Sequence, residues 1–193
     1  LGAEEMASLI KETGVSCLVD ASHPYAREAS INAIDACQKS KVEYLRFERP
    51  ETNSGYEGII RVKSFEEAAE KLENFDGNIL LTVGSNNIKL FTQKVSDYRR
   101  RLFARVLPQS SVLAKCEEAG LTANNIIAVK GPFSVEMNVE MLKHCQAVVI
   151  VTKDSGSTGG TDEKFEAAKR LGIPVILVER PEVDYVNIAS SIE

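Results

Sequence analysis

A loop of glycines, hydroxyls and a single lysine follows directly on the β-branched run Val148-Val149-Ile150-Val151. It reads Thr152-Lys153-Asp154-Ser155-Gly156-Ser157-Thr158-Gly159-Gly160-Thr161. The run before it has the pattern of a buried strand, and the segment after Thr161 that of a helix. A loop so placed can turn backbone N–H groups towards an anion, with the positive end of the helix behind it. Phosphate, carboxylate or cofactor binding is the chemistry that this arrangement supports. The loop matches neither the dinucleotide fingerprint GxGxxG nor the P-loop GxxxxGK[ST]. Asp162 and Glu163 are equally able to serve the helix dipole themselves. An anion site and a plain connecting turn therefore both stand.

A second chemical segment is Asp20-Ala21-Ser22-His23-Pro24-Tyr25-Ala26. His23 is either a proton donor or ligand hydrogen bond, or a cap on its own turn. Pro24 supplies the fixed φ suited to a first helical turn. Tyr25 stacks on a planar ligand or fills an interface. Asp20 accepts from N–H groups of its own turn or meets a ribose hydroxyl. Lys153 is a point charge for a phosphate or carboxylate. Lys164, one turn into the following helix, is expected in solvent. Gly84, Gly131, Gly156, Gly159 and Gly160 serve backbone geometry, and they bind only where a ligand lies against them. His144 is placed to favour a helix dipole. Neither a nucleophile elbow, a Ser/His/Asp set nor a carboxylate pair is visible, which favours chemistry carried by a cofactor.

The formal charge of −5 with no basic block argues against a nucleic-acid partner. Arg99-Arg100-Arg101 with Arg105 is the local exception and reads as a solvated strand entry. No apolar run reaches the roughly 18 residues of a membrane span, and no signal peptide is visible. Cys17, Cys37, Cys116 and Cys145 lack CxxC pairing and sit in apolar patterns. They read as buried free thiols of a cytoplasmic protein, with no metal site.

These residues need elements to position them. An opening helix carries Met6, Leu9 and Ile10 on one face. Cys17–Val19 is a strand, followed by a helix over 24–39 with Ile31, Ile34 and Cys37 on its apolar side, and a strand over 42–47. Residues 51–58 are loop, 59–62 a strand, 65–72 a helix and 74–78 the candidate linker. The pattern restarts with a strand over 79–83, the loop at Gly84-Ser85 and a helix. A strand over 102–107 and a helix over 111–119 closed by Gly120 follow. The strand over 126–129 leads through Gly131-Pro132 to Ser134, an N-cap for a helix ending at His144. A strand over 147–151, a helix stopping at Gly172 and a strand over 175–178 complete the set.

Alternating strands and helices at this spacing predict an α/β fold with mainly parallel sheets, in two Rossmann-like lobes over 1–75 and 76–193. Right-handed crossovers put strand-to-helix loops at one edge, where ligands of open α/β sheets bind. The loops at 20–26, 84–87, 130–134 and 153–161 are then candidates for one inter-lobe cleft. There is also an internal echo: Leu45-Arg46-Phe47-Glu48-Arg49-Pro50 resembles Ile176-Leu177-Val178-Glu179-Arg180-Pro181, with equivalent loops upstream.

The segments Val19–Ala26, Glu48-Arg49-Pro50, Leu81–Ser85, Ala104-Arg105-Val106 and Thr152–Gly156 with Gly160 occur in this order. Together they resemble the precorrin-6A reductases of cobalamin biosynthesis, including the cobalt-precorrin form, over essentially the whole chain. The resemblance implies two Rossmann-like lobes and reduction of one macrocycle double bond by NADPH or NADH. A carboxylate-rich tetrapyrrole would be the substrate, with Arg49, Arg105, Lys153 and Arg180 as its contacts. Its implied site is Asp20, Ser22, His23, Pro24, Tyr25, Gly84, Ser85, Arg105, Gly131, Pro132, Lys153, Asp154, Ser155, Gly156, Gly159 and Gly160. His23 would deliver a proton or position the cofactor. A monomer or weak homo-oligomer is expected. Family members begin with a strand and a Gly/Thr-rich loop, so roughly fifty residues are expected to precede Leu1. The competing readings are a phosphate-handling transferase using the 153–161 loop and a non-catalytic two-lobed binding protein.

Overall fold

The computed structural model describes residues 1–50, 52, 55–156 and 159–191. Glu51, Asn53 and Ser54 of the expected 51–58 loop, and Ser157 and Thr158 of the glycine-rich loop, lie outside the described residues. The fold is α/β with parallel strands, and it divides into two compact units. One comprises Leu1–Pro50 with Arg180–Glu193, the other Glu51–Glu179.

The first unit holds α1 (Ala3–Thr13), β1 (Cys17–Asp20), α2 (Arg27–Ser40), β2 (Glu43–Phe47) and, far along the chain, β9 (Ile188–Ala189). Its sheet has the order β1-β2-β9, all parallel. Ala7, Ile10, Ala33, Ala36, Cys37 and Tyr44 form the core, and the alanines let α1 and α2 approach closely. Met6 packs against this core as expected, whereas Leu9 remains 49% exposed. Helix α2 begins at Arg27, three residues after the expected start. Its buried stripe is Ser30, Ala33, Ala36 and Cys37, so Ile31 points outward. Cys17 is exposed, contrary to expectation, because β1 turns Cys17 and Val19 away from that core.

Beneath the apolar cluster lies a charge network. Asp20, at the end of β1, accepts from Ser22 N–H at 2.9 Å, Ser30 Oγ–H at 2.6 Å and Tyr44 Oη–H at 2.8 Å. The Arg46 guanidinium pairs with Asp20 at 3.0 Å and with Glu48 at 2.7 Å, and Tyr185 lies under it. Arg46 is fully buried, which its two carboxylates make tolerable. Burial alone would raise the Asp20 carboxyl; the hydrogen bonds from Ser22, Ser30 and Tyr44 outweigh it and hold Asp20 at about 2.

The second unit contains β3 (Ile59–Val62), α3 (Phe65–Leu72), β4 (Asn78–Thr82), α4 (Ile88–Lys94), α5 (Tyr98–Arg101) and β5 (Leu102–Val106). It continues with α6 (Ser110–Glu118), β6 (Ile126–Ala128), α7 (Val135–His144), β7 (Ala147–Lys153), α8 (Thr161–Leu171) and β8 (Val175–Val178). The six strands run parallel in the order β3-β8-β7-β4-β5-β6. Helices α7 and α8 pack together over one face, around Leu80, Ile150, Phe165, Val175 and Leu177; α3 and α4 pack together as another pair. Strands β7 and β8 are near-continuous apolar runs because parallel strands are buried on both faces.

The boundary expected at residue 75 does not coincide with the observed division. Ile59–Val62 pairs with Val175–Val178, which places β3 and α3 in the second unit. The 180–193 segment returns to the first unit, where Ile188–Ala189 extends the sheet beside β2. The segment 74–78 is therefore a turn inside the second unit and not a linker. Arg101 fastens it, donating to Gly77 O at 3.0 Å, Leu72 O at 3.4 Å, Phe75 O and Ser96 O. Arg101 is accordingly buried, not solvated.

Gly77 sets the approach of β4 to β7. Its φ is 145°, and a Cβ there would come 2.7 Å from Val148 Cγ1. Gly77→Ala should destabilise the second unit by roughly 2–4 kcal/mol, through strain and overpacking together. Denaturant unfolding followed by a probe in that unit measures it, and a loss below the error of the method would contradict the assignment. For the first unit, the depressed Asp20 value gives a pH window. Its stabilisation is present above the ordinary carboxylate range and is lost as pH falls towards about 2. Asp20→Asn should cost about 3 kcal/mol near neutrality and flatten the acid limb of a stability-against-pH curve.

Candidate functional site

In the second unit the chain steps from β4 outward to β5 and β6, then returns to β7 on the other side of β4 and continues to β8. The direction of winding thus reverses between β4 and β7. Loops leaving two adjacent carboxyl ends diverge at such a point and leave a crevice. A cavity of about 720 Å³ opens there, lined by Thr82 from β4, Arg105 from β5, Gly131, Pro132 and Phe133 after β6, and Ser155, Gly159, Gly160, Glu163 and Lys164 after β7.

Arg105 enters by strand alternation. Leu102, Ala104 and Val106 are buried along β5, while Phe103 packs against the α7–α8 core and Arg105 reaches Asn138 and Met141 of α7. Its guanidinium donates to Asn138 Oδ1 at 2.7 Å and lies 4.3 Å above the Phe133 ring. Asn138 is itself held by Ser134 O at 2.8 Å. Burial pushes the guanidinium down to about 10. The expectation that Arg105 belongs to a solvated cluster is overturned, because its position faces the interior of the sheet edge.

Lys164 overturns a second expectation. Thr161, Lys164, Phe165 and Ala168 follow the i, i+3, i+4, i+7 spacing of the buried stripe of α8, so the lysine is 6% exposed. Its Nζ donates to Gly159 O at 3.4 Å. Burial first, then the positive charge of Arg105, push the ammonium down to about 7, against the opposing pull of Glu163.

The glycine-rich loop, for which an anion cradle and a connecting turn both stand on sequence, engages two of its N–H groups internally. The Ser155 N–H donates to Thr161 Oγ1 at 3.2 Å, and the Gly156 N–H to Asp154 Oδ1 at 3.0 Å. Asp154 is buried and also accepts from the Thr52 N–H at 3.4 Å. These N–H groups are committed to the loop itself, so side-chain cations supply the positive charge. Gly159 is required by space: a Cβ there would sit 2.2 Å from Ser155 Cβ. Gly160 caps α8 at φ 70°, a conformation glycine adopts without strain.

A smaller hollow of about 260 Å³ holds Gly84, Ser85 and Lys153 with Val106 and Leu107. Lys153 alternates away from the Thr152 side of β7 and approaches Gly84, and burial lowers its ammonium. Of the predicted residues of the second unit, Asp154 and Gly156 line neither hollow and shape the loop through their own hydrogen bond, and the others fall in two places. Arg105, Gly131, Pro132, Ser155, Gly159 and Gly160 share the large cavity, and Gly84, Ser85 and Lys153 share the small one. Thr82, Phe133, Glu163 and Lys164 were missed, although the lysine on the apolar stripe of α8 was legible.

The remaining predicted residues belong to the first unit. Asp20 and Ser22 lie in the charge network, Pro24 is buried, and Tyr25 is half-buried. His23 is exposed; its Nδ1 accepts from the Tyr25 N–H at 3.2 Å, with the two rings 5.6 Å apart. Arg180 donates to Glu48 at 2.7 Å and to the carbonyls of Arg49 and Pro50. Among the described residues no group of three or more His, Cys, Asp or Glu is placed to hold a metal ion. None of the described helices is long and apolar enough to cross a membrane.

The internal echo has a physical basis. Strand β1 ends at Asp20 and strand β7 runs directly into Asp154, and each aspartate accepts from the N–H two residues on. In each case the next helix starts seven residues after it, at Arg27 and Thr161, and leads to an adjacent parallel strand. Ten residues after the aspartate stands Ser30 in one unit, hydrogen-bonded to it, and Lys164 in the other.

The model of the family described as precorrin-6x reductase CbiJ/CobK matches residues 1–193. A cobalt-precorrin-6A reductase of Priestia megaterium is 42% identical over 196 residues, spanning all of this chain and 76% of its own length. One from Methanothermobacter thermautotrophicus is 41% identical across 95% of this chain, which spans 61% of that relative. A solved structure of CobK precorrin-6A reductase superposes with a TM-score of 0.82 at 26% identity, over 98% of this chain and 75% of that one. With a match that extends from the first residue to the last, the chain belongs to the precorrin-6x reductase CbiJ/CobK family.

Proposed function

We propose that this chain catalyses the NAD(P)H-dependent reduction of a macrocycle double bond in precorrin-6A or cobalt-precorrin-6A, a step of cobalamin biosynthesis. The observation that carries the reading is the cavity at the switch point of a six-stranded parallel sheet, in a chain of this family. Its residues suit the ligands of such a reaction. Arg105 and Lys164 offer positive charge to a phosphate or carboxylate, Phe133 offers an apolar wall, and Gly159 and Gly160 allow close approach. A nicotinamide cofactor, when bound, supplies a hydride from C4. The chain's part is to bind, to orient and to supply or guide the accompanying proton.

His23 is the assigned proton donor or positioning group. With Nδ1 accepting from Tyr25, the neutral ring carries its proton on Nε2, the tautomer able to donate. Asp20, Ser22, Pro24 and Tyr25 hold that segment in place, and Asp154 and Gly156 set the loop that carries Ser155. Gly84, Ser85 and Lys153 form a secondary ligand contact. The enzyme acts in the cytoplasm as a monomer or weak homo-oligomer, on a tetrapyrrole substrate. A phosphate-cradle transferase finds less support, because the N–H groups of Ser155 and Gly156 are already engaged.

An anaerobic assay with precorrin-6A and its cobalt form, following NADPH and NADH oxidation side by side, tests the reading. Oxidation in at least one pairing is expected, and its absence in all of them would remove the reductase assignment. His23→Ala should lower turnover by about 10²-fold. Unchanged turnover and cofactor affinity in that variant would take His23 out of the mechanism.

A further inference from the structure

The buried cations of this chain are treated unequally. Arg46 has two carboxylates, and Arg101 has the oxygens of Leu72, Phe75, Gly77 and Ser96. Arg105 and Lys164 form no salt bridge among the described residues, although each is less than a tenth exposed. Among the described residues, Arg105 has one amide oxygen and a thioether sulfur as acceptors, and Lys164 one carbonyl at 3.4 Å. Both line the same cavity. Burying two cations that no carboxylate reaches in a salt bridge is costly, and a bound anion offsets the cost. A second observation points the same way: Glu163 Oε2, on a residue lining the cavity, is buried with no hydrogen-bond partner among the described residues. The ligand that satisfies all three groups carries an oxyanion and an N–H or O–H donor.

We infer that the cavity binds an oxyanionic group between Arg105 and Lys164, and that this binding is coupled to uptake of one proton by the Lys164 amine. The inference rests on the reductase reading only for the source of the oxyanion, a nicotinamide cofactor's phosphate or a tetrapyrrole carboxylate. The balance is simple: the amine takes a proton from solvent and becomes an ammonium, and no other bond changes. The charged groups around Lys164 are Arg105 on β5, Lys153 and Asp154 at the end of β7, and Glu163 on its own helix. With the cavity empty, burial and Arg105 hold the ammonium at about 7. An anion beside it raises that value. Affinity is therefore greatest below about 7 and declines above it by about tenfold per pH unit, the slope of one linked proton.

Sulfate is a suitable probe, because it keeps its full charge across this range. Titration into the native chain at fixed ionic strength, in weakly buffered solution with an indicator dye, should show close to one proton taken up per sulfate at about one unit above the midpoint. Lys164→Arg should bind sulfate with a flat pH profile and no uptake. Lys164→Met should lose at least about tenfold in affinity together with the uptake, and a buried cation replaced by an apolar side chain is not expected to unfold the unit. Proton uptake that survives in Lys164→Met, or the native pH slope in Lys164→Arg, overturns the proposal. Competition then separates the sources: displacement by NADP+ assigns the site to a cofactor phosphate, and displacement by a polycarboxylate porphyrin to a substrate carboxylate. Displacement by neither overturns the assignment of the site to these ligands. The reductase reading fails on a different readout, the absence of nucleotide oxidation, whatever the proton count.

Discussion

The pairing of β4 with β7 is the constraint on which the second unit depends. Neither strand has a sheet edge of its own, and Ile79, Leu80, Leu81, Val149, Ile150 and Val151 are all buried to 1% exposure or less. Such burial leaves every backbone polar group dependent on the ladder, so the two strands must meet in register. The register shifts between Asn78 and Ile79, and Asn78 reaches across to Cys145 O at 2.7 Å. Thr82 closes the other end by donating to Val151 O at 3.0 Å. Between those two ties the winding of the chain changes direction, and the loops beyond Thr82 and Lys153 are driven apart. The cavity is a product of topology first and of side chains second.

Side chains then decide what the cavity is for. The two strand–helix–strand repeats share an aspartate-anchored turn, yet treat buried charge in opposite ways. In the first unit, Asp20, Arg46, Glu48 and Tyr44 satisfy one another and leave a closed network, which suits a structural role. In the second, the position corresponding to Ser30 is a lysine, and Arg105 faces it across open space with an aromatic ring behind. A network that closes on itself contributes rigidity; one left open needs an outside group to complete it.

Much of this was legible in the residues. The strands over 59–62 and 175–178, the N-cap at Ser134 and the stop at Gly172 follow from local chemistry: β-branched runs, a hydroxyl that accepts from Met137 N–H, and a glycine at positive φ. What was not legible depends on partners remote in sequence. The unit boundary turns on β3 pairing with β8, and the two-residue strand β9 exists only because β2 offers it an edge. Arg101 and Arg105 resemble any surface arginines until the turn at 72–77 and the helix α7 are folded beside them. Lys164 is different in kind. Its place on the apolar stripe could be counted from Thr161, Phe165 and Ala168, and a rule that lysines are solvated obscured it.

The discontinuity of the first unit bears on how the chain is made. Ile188 pairs beside Arg46, and Val175 beside Ile59, so both sheets wait for residues made more than a hundred positions later. At synthesis rates of about 5–20 residues per second, β2 spends several seconds with one edge bare and β3 with no partner strand at all. Strand edges in that condition are templates for pairing with other nascent chains. Residues 175–189 therefore act as a latch on both units, and a chain cut short before Val175 would lack the strands that pair with β3 and with the free edge of β2.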